Sequence, residues 1–179
     1  ICEQVEDPKE SKGIVKREVI EIASPGTSIS DNYLNQEENN YLASIVFEKK
    51  KLGISILDYS TGEFRGITTS IDKIDQIISQ YNIKELIIPE SQYEAFYHGI
   101  KKYDFLITKV PNWYLDIKIA NDYLKGHFNL ISLKGFSMES EPLLIKSAAF
   151  ALDYVDKNYC GKIENIKNFK KIQKNNFMI

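Results

Sequence analysis

The side chains best placed for chemistry in this chain are carboxylates beside short apolar runs, two histidines and one basic cluster. Asp58 lies at the end of "KLGISILDY" and Glu63 near the start of "TGEFRGITT", so a tight turn between them brings the two close. Metal-assisted cleavage of a phosphodiester needs carboxylates from separate elements around two metal ions, the first projecting from the middle of a strand. The strand that would carry it, "YLASIVFE", has no acidic residue before its last position, Glu48. Asp58, Ser60 and Thr61 are residue types that turns select to satisfy their own backbone groups, and Glu63 reads as a solvated edge charge. The pair is expected to build a turn, not a two-metal centre.

His98 and His127 fall on different helical stretches with no acidic or cysteine partner at metal-ligand spacing. His127 continues an apolar stripe and is expected to be packed and hydrogen bonded. Cys2 and Cys160 are the only cysteines and lack C-x-x-C spacing, which argues against a zinc site or a disulfide framework. Neither G-x-x-x-x-G-K-[ST] nor G-x-G-x-x-G occurs, so no loop of this stretch is expected to cradle a nucleotide phosphate. No catalytic, metal-binding or cofactor-binding residue is expected here. "SKGIVKRE" gathers Lys12, Lys16 and Arg17, which suits contacts to a nucleic-acid backbone, whereas Lys49, Lys50 and Lys51 fill a hairpin turn and read as solvated. Trp113, beside Pro111 and Asn112, is expected to lie over the sheet edge.

The elements that must position these residues follow from the hydrophobic pattern. With 179 residues, 43% hydrophobic and 27% charged, the chain has ordinary globular composition. A net charge of −2 leaves no global basic footprint, so any contact with DNA must be local. No apolar run approaches the roughly 18 residues of a membrane span, and the chain is expected to work in the cytoplasm. Residues 28 to 39 are polar and without period, the best linker candidate. From residue 40 three strand-like runs follow, the middle one alternating Leu52, Ile54 and Ile56 with small or polar residues. Ile71, Ile74, Ile77, Ile78 and Tyr81 form a helical stripe, "KELIIPE" a strand, and "SQYE" (Ser91 to Glu94) a capping box opening a helix that buries Tyr93, Phe96, Tyr97 and Ile100. "DFLITKV" is another strand. Ala120, Tyr123, Leu124 and His127 then step helically, and a long helix from Pro142 carries Leu144, Ala148, Ala151, Leu152, Val155 and Tyr159 to a stop at Gly161. The stretch from Lys162 is basic and asparagine-rich and reads as irregular up to Phe177. A three-stranded meander feeding alternating helices and strands is the order of a ribonuclease H-like α/β domain.

The most specific stretch is the first. "ICEQVEDPKESKGIVKREVIEIASPGT" resembles the end of the mismatch-recognition domain of bacterial MutS-type DNA mismatch repair proteins, through Ile1-Cys2-Glu3-Gln4, Asp7-Pro8, Lys12-Gly13, Lys16-Arg17 and Ser24-Pro25-Gly26-Thr27. "NNYLASI" and "LDYSTGEF" resemble the landmarks that open that family's connector domain, and "NNFMI" the start of its next element. The resemblance implies an excerpt: residues 1–27 from the recognition domain, 28–39 a linker, 40–136 a ribonuclease H-like connector and 137–179 the start of the helical core or lever domain. It implies a parent that binds mismatched DNA, hydrolyses ATP with Mg, forms a homodimer and recruits MutL. The family's mismatch-reading Phe-x-Glu and its phosphate loop are both absent from this stretch, so neither activity is expected of it alone. Glu21 stands where relatives often carry a basic residue, and Ser24 replaces the usual threonine of the turn. Among the basic residues, Arg17 is the position that best carries over as a phosphate contact. Asn121, Asp122 and Lys125, on the polar side of their helix, are the expected partner-facing residues. The connector is expected to relay nucleotide state between DNA clamp and ATPase. A free-standing metal-dependent nuclease and a separate nucleic-acid-binding module are the competing readings.

Overall fold

The computed structural model describes residues 40–158 and 163–173, together with the backbone of two short strands at 2–4 and 17–19. Those two, β1 (Cys2–Gln4) and β2 (Arg17–Val19), pair antiparallel with Gln4 opposite Arg17. Residues 5–16, 20–39, 159–162 and 174–179, and with them the expected linker, Tyr159, Gly161 and Phe177, lie outside the described residues.

The meander forms as the alternation requires. β3 (Tyr41–Glu48), β4 (Lys51–Asp58) and β5 (Glu63–Ser70) run antiparallel in continuous register, from Leu42 opposite Leu57 to Glu48 opposite Lys51, and from Asp58 opposite Glu63 to Lys51 opposite Ser70. After a short 3-10 turn come α1 (Ile74–Gln80), β6 (Ile83–Pro89), α2 (Glu90–Ile100) and β7 (Leu106–Val110), with β6 parallel to both β3 and β7. The chain continues through α3 (Ile117–Phe128), α4 (Pro142–Asn158) and β8 (Lys170–Lys171). The six-stranded sheet has the order β7-β6-β3-β4-β5-β8, the ribonuclease H-like α/β arrangement that the element order predicts.

Strand alternation splits the core in two. Ile45, Leu52, Ile54, Ile56, Leu86 and Ile88 bury against α1 and α2, together with Ile74, Ile77, Phe96 and Ile100. On the opposite face Leu42, Val46, Leu57, Phe64 and Ile87 bury against α4, with Leu144, Ala148, Ala151, Leu152 and Val155. Each fully buried Leu or Ile contributes about 1.5–3 kcal/mol relative to an exposed one, so both faces are needed to hold the sheet.

α4 sits very close to the sheet because small residues make room. A Cβ built on Gly53 would lie 2.3 Å from the main-chain carbon and oxygen of Leu143, and one on Gly66 would meet Leu144 Cδ1 at 2.6 Å. Between them Ser55 and Ser147 share a buried hydrogen bond of 2.7 Å, and Ser147 also donates to the Leu144 carbonyl at 3.1 Å. This packing redraws the expected boundary at residue 136. The helix from Pro142, read as the start of a separate helical domain, shares one hydrophobic core with β3, β4 and β5. The apolar stripe is the same from sequence; what it packs against is a tertiary fact.

Two further readings change. The capping box at Ser91 does not form: α2 begins at Glu90, directly after Pro89, and the Ser91 amide and hydroxyl both donate to Asn112 Oδ1, at 3.2 and 2.9 Å. The stretch after Lys162 is packed, not irregular in the sense of loose. Ile163, Ile166, Phe169 and Ile172 are all buried, at every third position.

Candidate functional site

The helix that carries the expected partner-facing residues is set by its caps. Asp116 accepts from the amides of Lys118 (2.8 Å) and Ile119 (3.4 Å), satisfying first-turn donors, and Asn129 closes α3 in the left-handed conformation at φ 52°. Ala120 and Leu124 are buried toward α4. Two tyrosines complete the contact. Tyr114 donates to Asp153 at 3.0 Å and Tyr123 to Asp156 at 3.3 Å, both carboxylates belonging to α4. Burial, reinforced by those carboxylates, pushes both phenols well above the ordinary tyrosine value.

With α3 fixed this way, Asn121, Asp122 and Lys125 fall within about 100° of arc on one side, given 3.6 residues per turn. Asp122 is exposed, Asn121 and Lys125 half-buried. Lys125 Nζ lies 2.9 Å from Asp122 Oδ1, and that hydrogen bond holds the Asp122 carboxyl below the usual aspartate range. The structure therefore brings the three together on one face. Asp122 also borders a shallow groove of about 700 Å³ between α3 and residues 163–167, lined further by Tyr123, His127, Asp156, Ile166 and Lys167.

The basic cluster is described only in part. Lys12 and Lys16 lie outside the described residues, and of Arg17 the backbone alone is placed, in β2. His127 is half-buried with Nε2 2.7 Å from the Ile166 carbonyl, the packed role expected of it. Trp113 stands 67% exposed and covers no sheet edge.

The carboxylates read as candidates for chemistry are taken up by the fold. Asp58 Oδ1 accepts from the Ser60 amide (2.9 Å) and hydroxyl (2.6 Å), while Thr61 Oγ1 accepts from the Glu63 amide at 3.3 Å. Glu63 is not simply solvated: it accepts from the Tyr41 hydroxyl at 2.9 Å and pairs with Arg65. Glu85 is the residue that sequence reading passed over. It is fully buried on the α4 face of β6, where Oε1 accepts from the hydroxyls of Thr108 and Tyr154, each at 2.6 Å. A lone acid inside the apolar run "IKELIIP" was the available signal. Among the described residues no three His, Cys, Asp or Glu side chains gather as a metal site would require.

The comparisons with known proteins fit this body. The family model described as MutS domain II matches residues 40–167, and that of MutS domain I matches residues 1–32. The chain belongs to the MutS family. It is 38% identical over 178 residues to the DNA mismatch repair protein MutS of Parabacteroides distasonis, covering 99% of this chain and 20% of that protein. The MutS proteins of Flavobacterium johnsoniae, at 36% over 96% of this chain, and Salinibacter ruber, at 31% over 97%, are likewise covered for 20% of their own length. The chain thus spans about a fifth of the length of the curated MutS relatives it matches. The MutS domain II match runs past residue 136 through α4 and into the following stretch, the same extent as the packed body. No helix among the described residues is long and apolar enough to cross a membrane.

Proposed function

We propose that this chain is the connector region of a DNA mismatch repair ATPase, a stiff body that relays nucleotide state between a DNA clamp and an ATPase and does no chemistry itself. The observation that supports it is the seating of α4 main chain directly on Gly53, with both sheet faces covered and the buried acid Glu85 tied into the same layer. Transmission between distant sites needs a stiff element with two placements, not a reactive centre within it. On this reading residues 1–27 end the mismatch-recognition domain, 28–39 are the linker, and the connector begins at residue 40 and takes in α4. The longer protein binds mismatched DNA, hydrolyses ATP with Mg, acts as a homodimer in the cytoplasm, and touches the DNA backbone through Lys12, Lys16 and Arg17. ATP and Mg belong to a domain outside this chain.

MutL docks on the face made by Asn121, Asp122 and Lys125. The test is a charge exchange, Asn121→Lys with Asp122→Lys and Lys125→Glu, made in the longer protein. MutL recruitment to mismatched DNA is expected to weaken at least about ten-fold, roughly 1.4 kcal/mol, with mismatch binding unchanged. Unchanged recruitment removes the assignment. Cleavage of duplex DNA by this chain with Mg²⁺ or Mn²⁺, abolished by Asp58→Asn, would overturn the absence of chemistry.

A further inference from the structure

The chain beyond α4 is attached to the sheet in an unusual way. Ile163, Ile166 and Phe169 pack into the core on the α4 side, whereas Ile172, three residues later, packs into the core on the α1/α2 side. Residues 163–172 therefore wrap around the β5 edge, and the only strand pairing at the crossing is β8, two residues long and parallel, with Arg65 opposite Lys170 and Gly66 opposite Lys171. One further main-chain bond, Ile172 N–H to the Gly66 carbonyl at 2.8 Å, closes the crossing.

The near part of this strap is fastened by different means. Asn165 donates through Nδ2 to the Tyr59 carbonyl in the β4–β5 turn. Its own carbonyl fills the place a Cβ would take on Gly62, 2.5 Å away, and Gly62 holds φ +73°. The Ile166 carbonyl meets His127 of α3. Phe169 packs edge-on to Phe64 at 4.9 Å between ring centres and against Phe136 at 6.1 Å. Beyond it Lys171 pairs with Glu141 at 2.6 Å, an ion pair partly open to solvent. The fastening thus weakens along the chain, from a buckle of side-chain and turn contacts at 163–166 to a short, partly exposed strand at 170–172.

We propose that residues 169–172 form a releasable strap, which opens from the β5 edge as a unit while the sheet and α4 stay folded, and that Asn165 is the fixed point against which it opens. Parallel pairing is slightly weaker per residue than antiparallel, and two residues of it carry little cooperativity. Opening frees the outer edge of β5 at Arg65 and Gly66 and removes Phe169 from between Phe64 and Phe136. Whatever chain follows residue 173 is then joined to the body through a contact that breaks before the body does.

Native-state hydrogen exchange on the whole chain tests this. The Ile172 amide is expected to exchange at least ten-fold faster than those of Ile45 and Ile54, with little dependence on low urea. Asn165→Ala is expected to accelerate Ile172 by a further several-fold and leave Ile45 and Ile54 unchanged; Phe169→Leu, a milder change at the strap, should do the same. If Ile172 exchanges at the rate and with the urea dependence of Ile45, the strap opens only on global unfolding and the proposal fails. Equal acceleration of all three amides in both variants would overturn it too.

Discussion

Gly53→Ala probes the closest approach in the molecule. The added Cβ would stand 2.3 Å from the Leu143 main-chain carbon and oxygen and 2.8 Å from its Cβ, against an ordinary contact of 3.4 Å or more. The first turn of α4 must therefore lift by about 1 Å, because main-chain atoms have no rotamer to move into. A gap of 0.5–1 Å forfeits about a quarter to a half of the dispersion well of the side chains behind it. Leu143, Leu144 and Ile145, at 5%, 0% and 2% exposure, are the side chains that turn carries. At about 2 kcal/mol each for full burial, losing a quarter to a half of three gives about 2–3 kcal/mol, within the usual range for overpacking. Urea unfolding reads this directly. With a slope of about 2 kcal/mol/M, the midpoint should fall by roughly 1–1.5 M at unchanged slope. Adding Leu143→Ala should give no rescue, since the clash is with the main chain. A midpoint shift under about 0.25 M, or recovery of stability in the double variant, would refute the seating argument.

Glu85→Leu should destabilise the chain by about 2–4 kcal/mol, because the Thr108 and Tyr154 hydroxyls lose their acceptor inside the core. Adding Thr108→Val and Tyr154→Phe should recover part of that loss, and simple additivity of the three in urea titrations would show that the groups do not act together. The tyrosines of the α3–α4 contact give a pH signature. Their folded values lie above the ordinary 10, so the unfolded chain gives up these protons first. Their contribution is complete below about pH 10 and is lost as pH rises beyond it. Tyr123→Phe should flatten the fall in thermal midpoint between about pH 9.5 and 11; an unchanged alkaline slope would contradict the buried hydroxyl–carboxylate contact.

Local pattern carried much of this fold. Leu52, Ile54 and Ile56 alternate because a strand buries one face, and Ile74, Ile77 and Ile78 recur at helical spacing because α1 buries one stripe. Asp58, Ser60 and Thr61 act on backbone groups one or two residues away, so a turn role is legible without the rest of the chain. The spacing of Asn121, Asp122 and Lys125 likewise places them on one side of a helix before any partner helix is known.

Other features depended on residues far apart in sequence. Ser91 looked like a helix cap, but Asn112, 21 residues on, supplies the acceptor its amide and hydroxyl use. Glu85 is tolerable in the core only because Tyr154, 69 residues away, donates to it. The stripe on α4 announced a buried helix without saying which surface would bury it, and the three-residue spacing of Ile163, Ile166, Phe169 and Ile172 matches neither the helical nor the strand period. Periodicity encodes which side of an element avoids water. The partner that removes that side from water is chosen by tertiary packing, where Gly53 and Gly66 leave room for α4 and the β5 edge takes up the strap.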